Sequence, residues 1–331
     1  MQAWQCDQPL GVEALRWTTL PTPEPGAGEV LVDIEAASLN YPDLLMIQGR
    51  YQHKPTPPFV PGAEFAGVVR AVGPGVTTLQ PGQAVACLSG TGAFATQAVV
   101  PAALCVPLPP GMALTDAAAF IMTYATSYHA LLDRGALRAG ETVLVLGAAG
   151  GVGTAAIQIA QAAGAHVIAA AGGADKCALA QRLGADAVLD YQQHAPDGSL
   201  REELKRLTHG RGPDVVYDPV GGALAEPVFR SIAWRGRYLV IGFAGGPIPS
   251  LPLNLPLLKG ASIVGVFWGE FARREPQANA TMLRTLLQGY QQGLYRPVID
   301  SVLPMTELPQ ALARIAARQV RGKLVLRNAS A

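Results

Sequence analysis

Residues 142–153, TVLVLGAAGGVG, constrain this chain more than any other stretch. An apolar run of strand-forming residues ends in a glycine-rich turn, and a helix-forming segment follows at once. Only a parallel α/β unit uses that order. The turn departs from a strict G-x-G-x-x-G: Ala148 holds the first glycine place, Gly150 and Gly153 hold the others, and Gly147 precedes them. Gly150 and Gly151 leave room for a diphosphate against the backbone, and Gly153 permits close helix–strand packing. The N–H groups of Gly150, Gly151, Val152 and Gly153 then face the anion at the helix start.

The second strand of such a unit selects the dinucleotide. NAD binders place a carboxylate at its tip, about twenty residues after the glycines. Here residues 166–176 read HVIAAAGGADK, and the tip holds Ala170, Ala171, Gly172 and Gly173 with no acid. Lys176 follows, and Tyr191 lies just past the third strand. A cation and a phenol are suitable donors to a 2′-phosphate, so NADPH is the expected cofactor, with Gly173, Lys176 and Tyr191 at its adenosine end.

The same alternation extends along the middle of the chain. Strands are expected at 142–146, 166–170, 187–189, 214–217 and 237–241, and helices at 151–163, 175–183 and 199–208. Apolar strands joined by helices are buried on both faces, the signature of a doubly wound parallel sheet. A helix is expected from Thr115 to about Asp133. Residues 1–113 read differently, with short strands at 28–39, 63–72, 83–88 and 94–100, fenced by Pro and Gly. That pattern predicts a β-rich, barrel-like antiparallel domain, with a short helix over 41–48. After Leu257 the alternation weakens to a strand at 263–267, helices at 278–292 and 306–317, and a strand at 323–326. This tail is too small to stand alone and is expected to rejoin the first domain. The predicted division is 1–120 with 258–331 for one domain and 121–257 for the other.

The chain is long enough for two such domains, at 331 residues. Half of it is hydrophobic and its net charge is +1, so it lacks the basic excess that holds nucleic acid. No apolar run reaches membrane-spanning length, and the start lacks a signal-peptide layout. Cys6, Cys87, Cys105 and Cys177 form no CxxC pair, which suits a reducing compartment; a cytoplasmic location is expected.

With AAGGVG, the GGADK turn and VVYDPVGG (215–222) in place, the chain resembles the medium-chain dehydrogenase/reductase superfamily, and within it the zinc-independent NADPH:quinone oxidoreductase (zeta-crystallin-like) family. NYPD (40–43), GRYQHKPTPPFVPGAEFAGVV (49–69), TYATSYHAL (123–131) and GASIVGVFWG (260–269) carry the resemblance over nearly the whole length in family order. It implies a GroES-like catalytic domain and a Rossmann NADPH domain, with the reaction in the cleft between them.

Zinc relatives carry Cys where Asn40 stands and His where Ala63 stands, and their four-cysteine lobe would fall after Leu88, where SGTGAFAT holds no cysteine. Without nitrogen or sulfur ligands, zinc is not expected, and Glu64 reads as a structural hydrogen-bonding residue. The chemistry then belongs to hydride transfer from the cofactor, and the acceptor must be intrinsically electrophilic: a quinone or an enone. The resemblance places Asn40 and Thr126 beside the nicotinamide, Asn40 to stabilise a developing oxyanion or hold the ribose, and Thr126 to hold the carboxamide or ribose. Tyr51 would offer its phenol to the substrate oxygen. Gly242, Phe243, Phe267 and Trp268 join the cofactor residues, the aromatic ones as an apolar wall. The alternatives are an enoyl-thioester or enone C=C reductase and a non-catalytic NADPH-binding protein. The resemblance also implies a homodimer formed through the strand near 263–267.

Overall fold

The computed structural model describes residues 1–194 and 199–329. It separates into two compact units, Met1–Met122 with the chain from Pro297 onward, and Thr123–Arg296.

The first unit opens with a two-stranded pair, β1 (Gln2–Cys6) and β2 (Leu15–Thr19). Its main sheet is organised by one long strand, β3 (Glu29–Ser38). Helix α1 (Tyr41–Ile47) follows, with Pro42 near its start, where a missing N–H costs nothing. Then come β4 (Glu64–Val72), β5 (Ala84–Leu88), β6 (Gln97–Pro101), β7 (Cys105–Pro107) and α2 (Leu114–Ala118). β3 pairs antiparallel with β4 along its length and with β6 along its first half. Val30, Val32, Ile34 and Phe65 fill the core beneath it.

The second unit begins in α3 (Ile121–Tyr128), which passes into a π-helical turn over His129–Arg134. The single helix expected over 115–133 is therefore broken. α2 ends at Ala118, and Ala119 leaves helical geometry at φ −101°, ψ 2° before α3 begins. Next come β8 (Thr142–Leu146), α4 (Gly151–Ala162), β9 (His166–Ala171), α5 (Ala174–Arg182), β10 (Ala187–Asp190), α6 (Ser199–Leu207), β11 (Val215–Asp218), α7 (Ala225–Ser231), β12 (Arg237–Val240), α8 (Asn254–Lys259) and β13 (Ser262–Gly265). The sheet is parallel throughout, in the order β10-β9-β8-β11-β12-β13. Counting β8 as the first strand, this is the 3-2-1-4-5-6 order of a dinucleotide-binding sheet. All five residues of β8 are buried, as a central parallel strand requires. Helices α9 (Trp268–Arg274) and α10 (Pro276–Gln291) complete the unit.

The chain returns to the first unit as β14 (Ile299–Pro304), α11 (Leu308–Ala316) and β15 (Lys323–Arg327). β15 pairs antiparallel with the last residues of β3, and the Trp4 indole donates to the Met305 carbonyl at 2.8 Å. The tail thus rejoins the first unit, but at Pro297, not at residue 258. The reason is β13, which continues the parallel ladder of β12 from Arg237↔Ser262 to Val240↔Gly265 and keeps residues 258–296 with the second unit. The strand is also shorter than expected, ending at Gly265 instead of Phe267.

Candidate functional site

In the second unit, β8 ends at the sheet position where strand order reverses, and its turn is built as the glycines require. Gly147 adopts φ +58°, a left-handed conformation that glycine reaches at no steric cost. Gly150 is the N-cap of α4. A Cβ on Gly153 would stand 2.3 Å from the Gly147 carbonyl oxygen, so only glycine lets α4 lie this close to the turn. The first-turn N–H groups of Gly151, Val152 and Gly153 lack intrahelical acceptors and offer an anion cradle. The turn is braced from below: the buried Ser127 hydroxyl donates to the Val152 carbonyl at 2.9 Å and pairs with the Tyr217 hydroxyl at 2.9 Å. Asp218, at the end of β11, accepts from the N–H groups of Val220 and Gly221 and from the Tyr238 hydroxyl.

At the tip of β9 the structure gathers Gly172, Gly173, Lys176 and Tyr191. The Tyr191 ring lies against Gly172, where an added Cβ would meet Cε2 at 3.0 Å. Lys176 is half-buried in the first turn of α5. The tip is not free of acid, as its own sequence suggests. Asp190, from the end of β10, accepts from the Gly173 N–H at 2.9 Å. It also accepts from the Gln192 N–H and the Gln193 side chain. These bonds, the Gly173 one foremost, hold its carboxyl below the usual range. Its lone pairs are thus engaged within the turn.

Elsewhere in this unit the expected site residues separate. Gly242 follows β12, and its N–H reaches the Asp218 carbonyl at 3.3 Å. The Phe243 ring packs on Gly221, where a Cβ would meet Cδ1 at 2.9 Å. Thr126 is half-buried on α3. Phe267 is 60% exposed, whereas Trp268 is only 5% exposed and its indole N–H is bonded to Asn279 Oδ1 at 2.9 Å. Trp268 is a core residue between α9 and α10, not part of an open wall. His166 is the exposed first residue of β9.

The first unit places Asn40 at the end of β3, as the N-cap of α1. Its backbone N–H is taken by the Asp43 carboxylate at 2.7 Å. Its side chain is buried in a polar cluster that one distant residue completes. The Lys323 ammonium, from β15, donates to Asn40 Oδ1 at 2.5 Å and to the Leu39 carbonyl at 2.9 Å, and lies 3.5 Å from Glu64 Oε2. Glu64 accepts from Asn40 Nδ2 at 3.2 Å, the Ser38 hydroxyl at 2.9 Å and the Met122 N–H at 2.7 Å. Glu64 is thus the hydrogen-bonding hub its residue type suggested.

Burial is nearly total here, with Glu64 and Asp43 at 0% and Lys323 at 4% exposure. It pushes the Asp43 carboxyl up to about 7, against the opposing pull of the Asn40 N–H and of Lys323. It lowers the Lys323 ammonium, which the charges of Glu64 and Asp43 pull back up. Tyr51 shares this environment: burial, then the Asp43 charge, raise its phenol above the ordinary value. Lys323 and Ser38 were not legible as members of the group. Lys323 opens a strand whose next three residues are apolar, 283 residues from Asn40, and nothing in the strand pattern marks it.

A zinc ion does not fit this cluster. Glu64 already accepts several hydrogen bonds, Asn40 and Ala63 supply neither thiolate nor imidazole, and an ammonium is already seated among them. Among the described residues no three His, Cys, Asp or Glu side chains come together as a metal site.

Comparisons with known proteins agree with both units. Residues 26–110 match the alcohol dehydrogenase GroES-like domain, and residues 151–286 match the family described as zinc-binding dehydrogenase. Quinone oxidoreductase-like protein 2 of Rattus norvegicus is 38% identical over 96% of this chain and 89% of its own. The quinone oxidoreductase of Thermus thermophilus, solved also in complex with NADPH, is 35% identical with a TM-score of 0.85, over 99% of this chain and 100% of its own. The Pseudomonas syringae quinone oxidoreductase is 30% identical with a TM-score of 0.90, over 98% and 99%. NADP(H) binding is thus a property of the family. The chain belongs to the quinone oxidoreductase family of the medium-chain dehydrogenase/reductases and is an oxidoreductase.

Proposed function

We propose that this protein is an NADPH-dependent, zinc-free reductase of quinones or of other electrophilic conjugated carbonyls. The observation that carries the reading is the first unit's cluster. Asn40, at a position where zinc relatives hold a metal ligand, instead grips the Lys323 ammonium, with Glu64 beside it. With no Lewis acid to activate an ordinary ketone, the acceptor must be electrophilic in its own right. The cofactor, when bound, supplies the hydride.

The chain's own residues divide the remaining work. The β8–α4 turn binds the diphosphate on Gly150, Gly151, Val152 and Gly153. Gly173, Lys176 and Tyr191 receive the 2′-phosphate; Gly242 and Phe243 line the cofactor, and Thr126 orients its nicotinamide end. Asn40 has one amide hydrogen on Glu64, and its second, with no acceptor among the described residues, serves the substrate oxygen as negative charge develops there. Tyr51 stays protonated, because burial and the Asp43 charge both oppose its ionisation, and it donates the proton that completes a hydroquinone.

β13 is the outer strand of its sheet and presents an open edge with exposed Ile263, beside exposed Leu257, Leu258 and Phe267. A second copy of the chain pairs there, which removes the unpaired backbone edge from water. Turnover of NADPH against a panel of quinones and a panel of enones tests the substrate reading. Quinone reduction that exceeds enone reduction supports it, and enone-only turnover moves the assignment to C=C reduction. NADPH binding without turnover of either panel contradicts it.

A further inference from the structure

We infer that Lys323 is a positioning residue for Asn40, fixing which face of its amide meets the reacting oxygen. The inference rests on the role proposed for Asn40 above. An amide presents an acceptor on one side and two donors on the other, and only its partners decide which way it turns. An ammonium can only donate, so it must face Oδ1; an ionised carboxylate can only accept, so it must face Nδ2. The structure holds both constraints at once. Lys323 Nζ lies 2.5 Å from Oδ1, and Glu64 Oε2 lies 3.2 Å from Nδ2.

The two constraints meet at one place. Glu64 Oε2 accepts from the Asn40 amide and lies 3.5 Å from the ammonium that holds Oδ1. Remove the ammonium and Oδ1 loses its charged donor. The amide is then held by Glu64 alone and can swing about that one bond, which takes its second N–H off the reacting oxygen. A third bond, from Lys323 to the Leu39 carbonyl at 2.9 Å, fixes the ammonium against the end of β3. Asp43 contributes to the same field, and its carboxylate accepts from the Asn40 backbone N–H.

The test is a kinetic double-mutant cycle with NADPH and a naphthoquinone, reading kcat per folded site and NADPH affinity by nicotinamide fluorescence. Lys323→Met is expected to lower kcat about tenfold or more, as an oxyanion donor turned away would. NADPH affinity should stay within about twofold, and Lys323→Arg should restore most of kcat because the cation returns. In the Asn40→Ala background, Lys323→Met should cost little further, since no amide remains to be oriented. If the single Lys323→Met chain does not fold, a double variant combining Glu64→Gln with Lys323→Met takes its place. It leaves neither charge of the pair, and the amide introduced in place of the carboxylate can face either way, so the same kcat loss is expected. A kcat that survives either variant while Asn40→Ala lowers it overturns the inference alone. Equal losses with and without Asn40 also overturn it. An Asn40→Ala chain with unchanged kcat overturns the reading of Asn40 and this inference together.

Discussion

The carboxylate of Asp190 caps the backbone of Gly173 at 2.9 Å, tying the end of β10 to the tip of β9. In the proposed reading this bond lies at the adenosine end of the cofactor site: the acid is engaged by the turn's own donors, and Lys176 stands in the first turn of α5. Lys176→Ala should therefore raise the NADPH KM about tenfold or more, a charge-assisted bond being worth roughly 1.5–3 kcal/mol, and leave the NADH KM nearly unchanged. Steady-state kinetics with both cofactors check this; equal losses would remove Lys176 from 2′-phosphate recognition.

The bond from Ser127 to Tyr217 beneath the glycine turn predicts a stability pattern. Both residues are buried, and burial pushes the Tyr217 phenol well above its ordinary range, so its hydroxyl remains neutral and needs a partner. Ser127→Ala strands that hydroxyl and should cost about 1–3 kcal/mol. Ser127→Ala combined with Tyr217→Phe should recover most of the loss, because both polar groups leave together. Urea midpoints of the three variants decide it.

Asp43 predicts a pH dependence. Its carboxyl titrates near 7 in the folded chain, against 3.8 when unperturbed, because its site is fully buried. The folded state therefore binds this proton more tightly than the unfolded state. The stability tied to it is complete at acid pH and declines as pH rises through the interval up to about 7. Asp43→Asn keeps an acceptor for the Asn40 N–H and removes the ionisation. Relative to the native chain, the variant should gain on the order of 2 kcal/mol between about pH 5 and pH 8. Urea midpoints at the two pH values measure it, and a constant difference would show that Asp43 does not titrate there.

The edge of β13 predicts an assembly. Ile263 is 43% exposed on an outer strand. The native chain should run at the mass of two copies in light scattering. Ile263→Lys, which puts a charge on the open edge, should shift it to one copy. A native monomer would contradict the reading.

What the sequence made legible follows from range. The β8–α4 turn could be read directly, because strand, glycines and helix are consecutive and each glycine answers a local demand, such as the 2.3 Å contact that a Cβ on Gly153 would make. The parallel sheet followed from the alternation of apolar strands and helices. The boundary at residue 258 failed because the Pro-rich stretch after Phe243 hides the continuity of β12 with β13, which is a pairing and not a pattern. Trp268 misled for a related reason. An aromatic residue beside a cleft motif looks the same as one whose indole is bonded inward to Asn279. The acid at the β9 tip was invisible because it arrives from β10. The Lys323–Asn40 contact was beyond any local signal, since its partners lie on β15 and at the end of β3.

The most direct test of the central claim is NADPH oxidation by a quinone after exhaustive chelation, on protein whose zinc content has been measured. Asn40 and Ala63 stand where zinc relatives carry metal ligands, and the Lys323 ammonium is bonded to Asn40 Oδ1. Undiminished turnover by protein with no stoichiometric zinc is the predicted result. Activity that is lost with the chelator and returns with Zn²⁺ would contradict it.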